Sequence, residues 1–323
     1  MAHIYLTRRI PKEGIALLEK EHDLDICMKD SPPSKMEIIE HIKNKEGLLC
    51  LLTDPIDKEV FDAAPDLKAI TTYAVGYDNI NIVEATRRGI PVSNTPGVLT
   101  ETTADLTWAL MMAIARRLVE GDKMVRCNNF LGWGPMVLLG TDVYGKTLGI
   151  IGAGRIGQAV GRRAHGFDMN IIYYARSRKL AFERELGARF VGLPALLQEA
   201  DYVTLHVPLT EKTYHLIGKK ELDMMKSSAL LINTARGQCI DERALIAALE
   251  NGNIAGAALD VFENEPELAS GLQDLYNVVL CPHAGSASIE TRTKMAVMAA
   301  RDLMAMLQGD KPEHCLNPGV YVK

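Results

Sequence analysis

The sequence predicts two α/β domains, each built on a parallel β-sheet that helices cover on both faces. The chain has 323 residues, which is more than one hydrophobic core usually serves. Short continuous apolar runs alternate with helical patterns in both halves, as in parallel sheets that are buried on both faces. A loop rich in Gly, Trp and Pro, residues 128–140, separates the two series of strands. We therefore expect two doubly wound domains.

The composition is typical of an ordinary globular protein. Hydrophobic residues make up 47% of the chain and charged residues 24%. A net charge of −5 gives no reason to expect binding to nucleic acid or to an anionic membrane. The longest apolar stretches, such as 109–115, are far shorter than the ~20 residues of a membrane span. The N-terminus lacks the pattern of a secretory signal, so we expect a cytoplasmic location.

The cysteines argue against a disulfide framework and against a metal site. Six cysteines are scattered along the chain without a C-x-x-C pair. A secreted disulfide scaffold or a zinc site requires tighter clustering. The sequence therefore predicts reduced, structurally ordinary thiols and no metal.

Strands and helices of the first half follow from its apolar runs. A helix is expected over 14–21 and a longer one over 101–120. Thr100 is a suitable N-cap for the longer helix, with Glu101 and Asp105 in its early turns. The expected strands are 4–7, 48–52, 67–75 and 90–95.

The second half repeats the pattern and ends in a long amphipathic helix over 290–309. A helix of about twenty residues spans ~30 Å, enough to connect two domains. The C-terminal helix is therefore expected to return to the first half and to make that domain discontinuous. The expected strands are 146–152, 170–175, 202–208, 229–235, 255–262 and 277–283, with a helix over 155–167.

Residues 152–157, GAGRIG, fit the G-x-G-x-x-G pattern of dinucleotide-binding turns. The motif is weak by itself, but here a strand precedes it and a helix follows it. Its glycines in turn permit the tight bend, leave room for a pyrophosphate, and let the helix pack on the sheet. Free N–H groups at the helix start then face the phosphates. The predicted contacts are Gly152, Gly154, Arg155, Ile156 and Gly157; the alternative is a purely structural turn.

The strand that follows ends in YYARSRK, residues 173–179, without the acid that usually stands there. An Asp at this place binds the ribose hydroxyls and repels a 2′-phosphate, which selects NAD(H). Ala175 removes the repulsion, and Arg176, Ser177 and Arg178 can donate to a phosphate. One charge-assisted bond of about 1.5–3 kcal/mol shifts the preference about tenfold or more. We predict NADP(H) as preferred and NAD(H) as possible; the alternative is a solvated basic loop that tolerates either.

Three ionisable residues stand just after three apolar strands of the second half. They are Arg236 in INTARG, Glu265 in FENEP and His283 in CPHAG. Because strand C-termini form the ligand-binding edge of a parallel sheet, these side chains can meet beside a cofactor. For a 2-oxoacid, Arg236 grips the carboxylate and His283 gives a proton to the keto oxygen. Glu265, hydrogen-bonded to the imidazole, favours its charged form.

The chain resembles the D-isomer-specific 2-hydroxyacid dehydrogenases from end to end. The resemblance rests on VGYDNI (75–80), RGIPVSNTPG (88–97), TTADL (102–106), GKTLGIIGAGRIGQAV (145–160), HVPLT (206–210), INTARG (232–237), ALDVFENEP (258–266) and PHAGSA (282–287). It implies a Rossmann-type dinucleotide-binding domain over 100–285 and a flavodoxin-like substrate-binding domain from 1–99 and 286–323, with a cleft between them. The family's catalytic set falls on Arg236, Glu265 and His283.

The resemblance also implies the remaining site residues. Val75 and Gly76 would bind the substrate carboxylate through their backbone N–H groups, beside Arg236 and His283. Asp260, which is otherwise an ordinary strand-end residue, would bond the nicotinamide amide. The other cofactor contacts carried over by position are Thr103, Pro208, Thr213, Thr234, Ala235, Arg236, His283 and Gly285.

Within the family, WGPMVLLGTDVYGKTLGIIG and YYARSRK are most similar to the glyoxylate/hydroxypyruvate reductases. Members are generally homodimers, and residues 100–145 resemble their dimerising segment. Trp133 reaches a partner's active site in such relatives, although a plain interface aromatic is an equal alternative. Many relatives carry Asp where this chain has Asn81, and no catalytic consequence is expected.

Other functions remain open at this point. The motifs are shared with phosphoglycerate and D-lactate dehydrogenases, and less closely with phosphonate- or formate-type enzymes. A dinucleotide-sensing corepressor or scaffold can keep the same fold, but no appended interaction tail supports it. Which 2-oxoacid is preferred does not follow from the residues, because one methylene in a pocket is worth only ~1–3 kcal/mol.

Overall fold

The computed structural model describes residues 1–322 and divides them into two compact units. Unit 1 comprises residues 1–99 together with the described residues from 286 onward, and unit 2 comprises residues 100–285. In the described part of the chain, no helix combines the length and the apolar character needed to span a bilayer.

All strands are short and parallel to their neighbours. The strands are β1 (His3–Leu6), β2 (Asp23–Ile26), β3 (Gly47–Cys50), β4 (Ala69–Thr72), β5 (Val92–Ser93), β6 (Thr147–Ile151), β7 (Asn170–Tyr174), β8 (Arg189–Phe190), β9 (Tyr202–Leu205), β10 (Leu230–Asn233), β11 (Gly256–Leu259) and β12 (Val278–Leu280). The α-helices are α1 (Lys12–Leu18), α2 (Lys35–Ile42), α3 (Lys58–Ala63), α4 (Ile82–Arg87), α5 (Thr100–Ala115), α6 (Leu118–Arg126), α7 (Arg155–Ala164), α8 (Leu180–Leu186), α9 (Leu193–Glu199), α10 (Lys219–Leu222), α11 (Glu242–Glu250) and α12 (Ile289–Leu307).

Unit 1 contains a five-stranded sheet in the order β2-β1-β3-β4-β5. Its central strands β3 and β4 are fully buried, because their apolar residues face helices on both sides. Helix α12 packs against α1, β3 and β4, so the C-terminal segment completes the covering of this sheet. Ser288 begins that helix by accepting a hydrogen bond from the Thr291 N–H.

Unit 2 contains a seven-stranded sheet in the order β12-β11-β10-β9-β6-β7-β8. Two hydrophobic clusters, one centred on Leu231 and Val203 and the other on Ile150 and Ile232, fill the space between sheet and helices. The strand order reverses between β6 and β9. Ligands of such sheets bind outside the strand C-termini at this reversal.

Two edge strands, β2 and β8, lie outside the predicted set. Their sequences, DLDI and RF, lack the continuous apolar run from which buried strands are predicted, because an edge strand meets solvent. The strand predicted over 90–95 is paired only at Val92 and Ser93.

The single helix predicted over 101–120 is wrong. Helix α5 ends at Ala115, and Arg117 adopts the left-handed conformation (φ 52°) as α6 begins. The Arg117 guanidinium stabilises this break by bonding both carboxylate oxygens of Glu120, at 2.7 and 2.9 Å. Thr100 is the first helical residue rather than the predicted N-cap.

Candidate active site

Three adjacent strands of unit 2 deliver the predicted catalytic residues to one edge of the sheet. Arg236 follows β10, Glu265 follows β11 and His283 follows β12. These strands are neighbours in the order β12-β11-β10, and all are parallel. Their C-terminal loops therefore lie side by side, as the sequence predicts.

Glu265 and His283 form a direct pair. Nδ1 of His283 lies 2.8 Å from Oε2 of Glu265, and the two side chains are 25% and 26% exposed. The other carboxylate oxygen, Oε1, accepts a hydrogen bond from the Phe262 N–H at 3.0 Å. Because Glu265 engages Nδ1, the Nε2 atom of His283 is left to face a ligand.

The charge state of Glu265 follows from its neighbours. Burial favours the protonated acid, but the hydrogen bond and charge of His283, together with the Phe262 N–H and the charge of Arg236, lower the pKa of Glu265 below its ordinary value. The carboxylate is therefore ionised at neutral pH.

Asp260 holds the turn that carries His283. Its buried carboxylate accepts hydrogen bonds from the N–H groups of Ala284 (2.6 Å) and Gly285 (2.8 Å). Its own carbonyl accepts the His283 N–H at 2.8 Å. His283 has φ 52°, a left-handed conformation that is uncommon for a residue with a Cβ. Burial raises the pKa of Asp260 despite these donors. This carboxylate thus holds the strained turn, whatever it binds in addition.

The Arg236 loop is fixed by Asn233, a residue that the sequence analysis did not single out. The Asn233 side chain donates to the Arg236 carbonyl at 2.9 Å and accepts the Ala235 N–H at 3.0 Å. Gly237 then packs directly on the backbone after β11. A Cβ at this position would lie 1.9 Å from the carbonyl carbon of Phe262. The loop of Arg236 and the loop of Glu265 are therefore in backbone contact.

A buried carboxylate behind these loops was also missed from sequence. Glu242, 3% exposed, accepts the Glu263 N–H at 2.7 Å. The Glu263 side chain in turn meets Nε2 of His215 at 2.7 Å, and its carbonyl accepts the Gln238 side chain at 2.7 Å. This network secures the chain two residues before Glu265. A lone Glu at the start of a helix carries no sequence signal for such a role.

The glycine-rich turn has the shape that the motif predicts. Gly152 has φ 101°, and a Cβ there would lie 2.6 Å from the His206 carbonyl oxygen. A Cβ at Gly157 would lie 2.1 Å from the Gly152 oxygen, so this glycine is needed for helix packing. A Cβ at Gly154, by contrast, would have open space within 4 Å. Gly154 caps α7, whose first residues Arg155 and Ile156 present their N–H groups to that space. The residues fit a bound pyrophosphate.

The arginines after β7 differ in their surroundings. Arg178 is engaged by Glu183, with contacts of 2.6 and 3.1 Å to the two carboxylate oxygens. Glu183 also accepts the Tyr173 hydroxyl at 2.6 Å. Arg176 and Ser177 are exposed, and Ala175 is half-buried. Of the two cationic side chains predicted to meet a phosphate, Arg178 must first leave an ion pair.

Two of the remaining predicted cofactor residues have hydroxyls committed within unit 2. Thr234 Oγ1 lies 2.9 Å from Thr107 Oγ1, and Thr107 itself donates to the Thr103 carbonyl at 2.8 Å. Thr213 donates to the Pro208 carbonyl at 2.6 Å and closes a tight turn.

The predicted anion loop of unit 1 follows β4. Val75 and Gly76 are half-buried, and the Asn94 side chain donates to the Val75 carbonyl at 2.7 Å. In a trans peptide the N–H points opposite to the C=O. The Gly76 N–H, which belongs to the same peptide, therefore points away from Asn94. Asn94 lies inside RGIPVSNTPG, but nothing in the sequence indicates which peptide its amide binds.

Within residues 1–322, no cluster of His, Cys, Asp or Glu side chains has the arrangement of a metal site. Asn81 is the residue at which many relatives carry Asp. It caps α4 by accepting a hydrogen bond from the Glu84 N–H at 3.0 Å. Asn at this place is thus accounted for by helix capping.

The chain is similar to known proteins along nearly its whole length. Residues 108–285 match the model of the D-isomer specific 2-hydroxyacid dehydrogenase, NAD binding domain, family. The chain is 55% identical over 319 residues to a glyoxylate reductase of Korarchaeum cryptofilum, covering 98% of this chain and 96% of that protein. It is 50% identical over 321 residues to a glyoxylate reductase of Thermococcus litoralis, covering 98% of this chain and 97% of that protein.

Solved structures show the same likeness. A protein from Thermus thermophilus, 44% identical, superposes with a TM-score of 0.91 and covers 97% of this chain and 99% of its own. An NADPH-dependent glyoxylate/hydroxypyruvate reductase from Sinorhizobium meliloti, solved with NADP and malonate, is 30% identical. It superposes with a TM-score of 0.87 over 98% of this chain and 96% of that chain.

Proposed function

The chain belongs to the D-isomer specific 2-hydroxyacid dehydrogenase family, and we propose that it is a glyoxylate reductase. The observation that carries the proposal is the Glu265–His283 pair, with Nε2 of the imidazole left to face a ligand. The glyoxylate reductases of Korarchaeum cryptofilum and Thermococcus litoralis, which share half or more of its residues, support the choice of substrate. Hydroxypyruvate is a further substrate of the proposed enzyme.

A nicotinamide dinucleotide is the cofactor of the family domain to which residues 108–285 belong. The open space at Gly154 and the N-terminus of α7 would hold its pyrophosphate. Asp260 and the loop residues Thr234 and Ala235 would face its nicotinamide end. When bound, the reduced dinucleotide supplies the hydride that reaches the carbonyl carbon of the substrate.

The protein's own residues bind the oxoacid and move the proton. The backbone N–H groups of Val75 and Gly76 in unit 1 bind the substrate carboxylate. In unit 2, Arg236 binds the oxoacid and polarises its keto oxygen, for which its planar fork of donors is suited. His283 donates its Nε2 proton to that oxygen, and Glu265 stabilises the imidazolium that gives the proton. One 2-oxoacid, one hydride and one proton thus become one 2-hydroxyacid.

We propose NADPH as the preferred hydride donor. Ala175 places no negative charge where a 2′-phosphate would lie, and the exposed Arg176 and Ser177 offer donors to it. Arg178 adds a second cation only after it leaves Glu183. The Arg178 side chain is 61% exposed but that of Glu183 only 14%, so a bound phosphate has to compete with a largely buried carboxylate for Arg178.

The segment 118–139 supports the proposal of a homodimer. It exposes a run of large apolar side chains, among them Leu131 (99%) and Trp133 (87%). Several large apolar side chains exposed in one segment are typical of an interface. Light scattering after gel filtration should show a dimer that Leu131→Asp converts to monomer, whereas Tyr276→Asp, at an exposed residue outside the segment, should leave it dimeric. A wild-type monomer would contradict the proposal.

We also propose a cytoplasmic location, in which the six free cysteines stay reduced. The proposal rests on six cysteines that form no disulfide bond. Fractionation of cells that express the protein tests it.

One assay tests the proposed function. The purified protein is mixed with glyoxylate and NADPH or NADH, and the absorbance of the reduced cofactor is followed. We expect saturable oxidation of the cofactor with glycolate as product, and a higher kcat/KM with NADPH. Arg236→Ala should raise KM for glyoxylate and lower kcat together. No glyoxylate-dependent oxidation with either cofactor would overturn the proposal.

A further inference from the structure

The sheet of unit 1 has a strand-order reversal of its own. From β1 the chain moves to β2 on one side, and from β3 onward it moves to the other side. The reversal therefore lies between β1 and β3, and ligands of doubly wound sheets bind outside the strand C-termini at such a point. The residues that follow these two strands are Thr7 and Arg8 after β1 and 51–54 after β3.

Arg8 reaches across this reversal. Its Nη2 donates to the Thr53 hydroxyl at 2.6 Å, which joins the residues after β1 to the loop after β3. Its Nε is buried and has no hydrogen-bond partner in residues 1–322. A buried guanidinium N–H without an acceptor costs free energy, so the hydrogen-bonding capacity of Arg8 is not used up by its neighbours.

A buried acid fixes the direction of the guanidinium. Asp54 is fully buried, and its Oδ1 accepts the Thr53 hydroxyl at 3.0 Å. Its Oδ2 accepts the Leu51 N–H at 2.7 Å and the Thr7 hydroxyl. Since the Thr53 proton points to Asp54, the oxygen lone pair of Thr53 faces Arg8. The carboxylate of Asp54 is occupied by these donors and orients Arg8 through Thr53.

The Arg8 position is tied to the anion loop of unit 1. The Asn79 side chain donates to the carbonyls of Leu51 (2.9 Å) and Asp54 (2.7 Å). Asn79 stands three residues after Gly76, so it locks the loop after β3 to the loop after β4. Adjacent strands lie ~4.8 Å apart. The loop that Arg8 contacts through Thr53 is therefore the neighbour of the loop that carries Gly76.

We propose that Arg8 is a specificity-determining residue that binds a polar or anionic group on carbon 3 of the 2-oxoacid. The inference rests on the proposed function. Glyoxylate has no carbon 3, and in unit 1 its carboxylate is already assigned to the N–H groups of Val75 and Gly76. Larger oxoacids bring a hydroxyl or a second carboxylate, which requires a donor beyond that set. Arg8 offers one from the neighbouring strand.

The first arm of the test is kinetic. kcat/KM is measured for hydroxypyruvate and for glyoxylate in wild type, Arg8→Met and the matched control Arg9→Met, since Arg9 is exposed. Arg8→Met should lower the ratio of hydroxypyruvate to glyoxylate about tenfold or more, because a charge-assisted hydrogen bond is lost. Arg9→Met should leave the ratio within about twofold. Thr53→Val, which keeps Arg8 but removes its orienting hydroxyl, should lower the ratio by a smaller factor.

The second arm measures binding without turnover. Calorimetry compares tartronate with glycolate, which lacks the second carboxylate, on enzyme carrying reduced cofactor. Wild type should bind tartronate at least about tenfold more tightly than Arg8→Met does, with glycolate affinity unchanged. If the enzyme did not reduce glyoxylate, the proposed function would be wrong, but the binding of tartronate would still test the role of Arg8.

Three results would overturn the role of Arg8. An unchanged ratio and unchanged tartronate affinity in Arg8→Met would mean that Arg8 is structural. Equal losses for glyoxylate and hydroxypyruvate would mean that it binds the common carboxylate. An equal fall in the ratio for Arg9→Met would mean that only general charge matters. Thermal unfolding of each variant separates these results from misfolding.

Discussion

Replacing Glu265 with Gln removes the negative charge beside His283 and keeps the shape of the side chain. In the wild type the two groups meet at 2.8 Å and are about one quarter exposed, 26% and 25%. A hydrogen bond to a charged group contributes about 1.5–3 kcal/mol and a neutral one about 0.5–1.5 kcal/mol. The charge alone is therefore worth ~1–1.5 kcal/mol, or about fivefold to tenfold in kcat/KM.

The amide geometry increases this loss. Oε1 of Glu265 accepts the Phe262 N–H at 3.0 Å, so the amide oxygen of the introduced glutamine keeps that place and its NH2 group faces His283. The imidazolium carries protons on both ring nitrogens, so its Nδ1 is a hydrogen-bond donor. The NH2 group of glutamine is also a donor and cannot form a hydrogen bond with it. The proton-donating form is thereby disfavoured. We expect kcat/KM for glyoxylate to fall about tenfold to a hundredfold, which is at or below the lower end of the ~10²–10⁴-fold that a general acid contributes, since His283 itself remains.

Steady-state rates with glyoxylate at saturating NADPH measure this loss, and fluorescence titration measures the cofactor Kd, which should stay unchanged. Glu267→Gln is the matched control, since this acid is exposed in the same loop. It should keep wild-type rates. A Glu265→Gln enzyme with wild-type kcat/KM, or one that loses only cofactor affinity, would refute the reasoning.

Three further substitutions test separate parts of the structure. Ala175→Asp should lower the NADPH/NADH ratio of kcat/KM about tenfold or more because of repulsion at the 2′-phosphate, whereas Ala175→Asn should change it much less; equal effects would point to size instead of charge. Gly237→Ala should lower Tm and activity together, since its Cβ would overlap the Phe262 backbone, and Gly166→Ala, with open space around it, should change neither. Burial raises the pKa of Glu242, so this carboxyl group holds its proton more tightly in the folded protein than in the unfolded chain. The stability that the protonated group contributes is therefore lost as the pH rises through the raised pKa. Urea unfolding from about pH 4.5 upward should show the free energy of wild type falling relative to Glu242→Gln; a difference that stays constant with pH would contradict this.

The buried parts of the fold could be predicted because they repeat a simple pattern. β3 (GLLC) and the first three residues of β10 (LLI) are continuous apolar runs, and both strands are fully buried in the structure. The edge strand β2 has the sequence DLDI. It was not predicted, because one of its sides meets solvent and it therefore lacks a continuous apolar run. The break after α5 was not predicted either. The helical pattern of the sequence continues through Arg117, but the left-handed conformation of this residue separates α5 from α6.

The candidate site divides in the same way. The positions of Arg236, Glu265 and His283 follow from the rule that parallel strands bring their C-termini to one edge. The residues that orient these loops cannot be predicted from the sequence, because a side-chain amide can form hydrogen bonds with any peptide group near it. The peptide groups that Asn94 and Asn233 bind are determined by the tertiary structure, and no spacing of residues in the sequence indicates them. The pairing of Arg178 with Glu183 likewise depends on where α8 starts.

A single-turnover measurement on His283→Ala tests the central claim most directly. Enzyme preloaded with NADPH is mixed with saturating glyoxylate, and the oxidation of the cofactor is followed together with its Kd. If Nε2 of His283 supplies the proton, the rate should fall about a hundredfold to ten-thousandfold while the Kd for NADPH stays unchanged. A rate close to that of wild type, or a loss explained by weaker cofactor binding, would contradict the account.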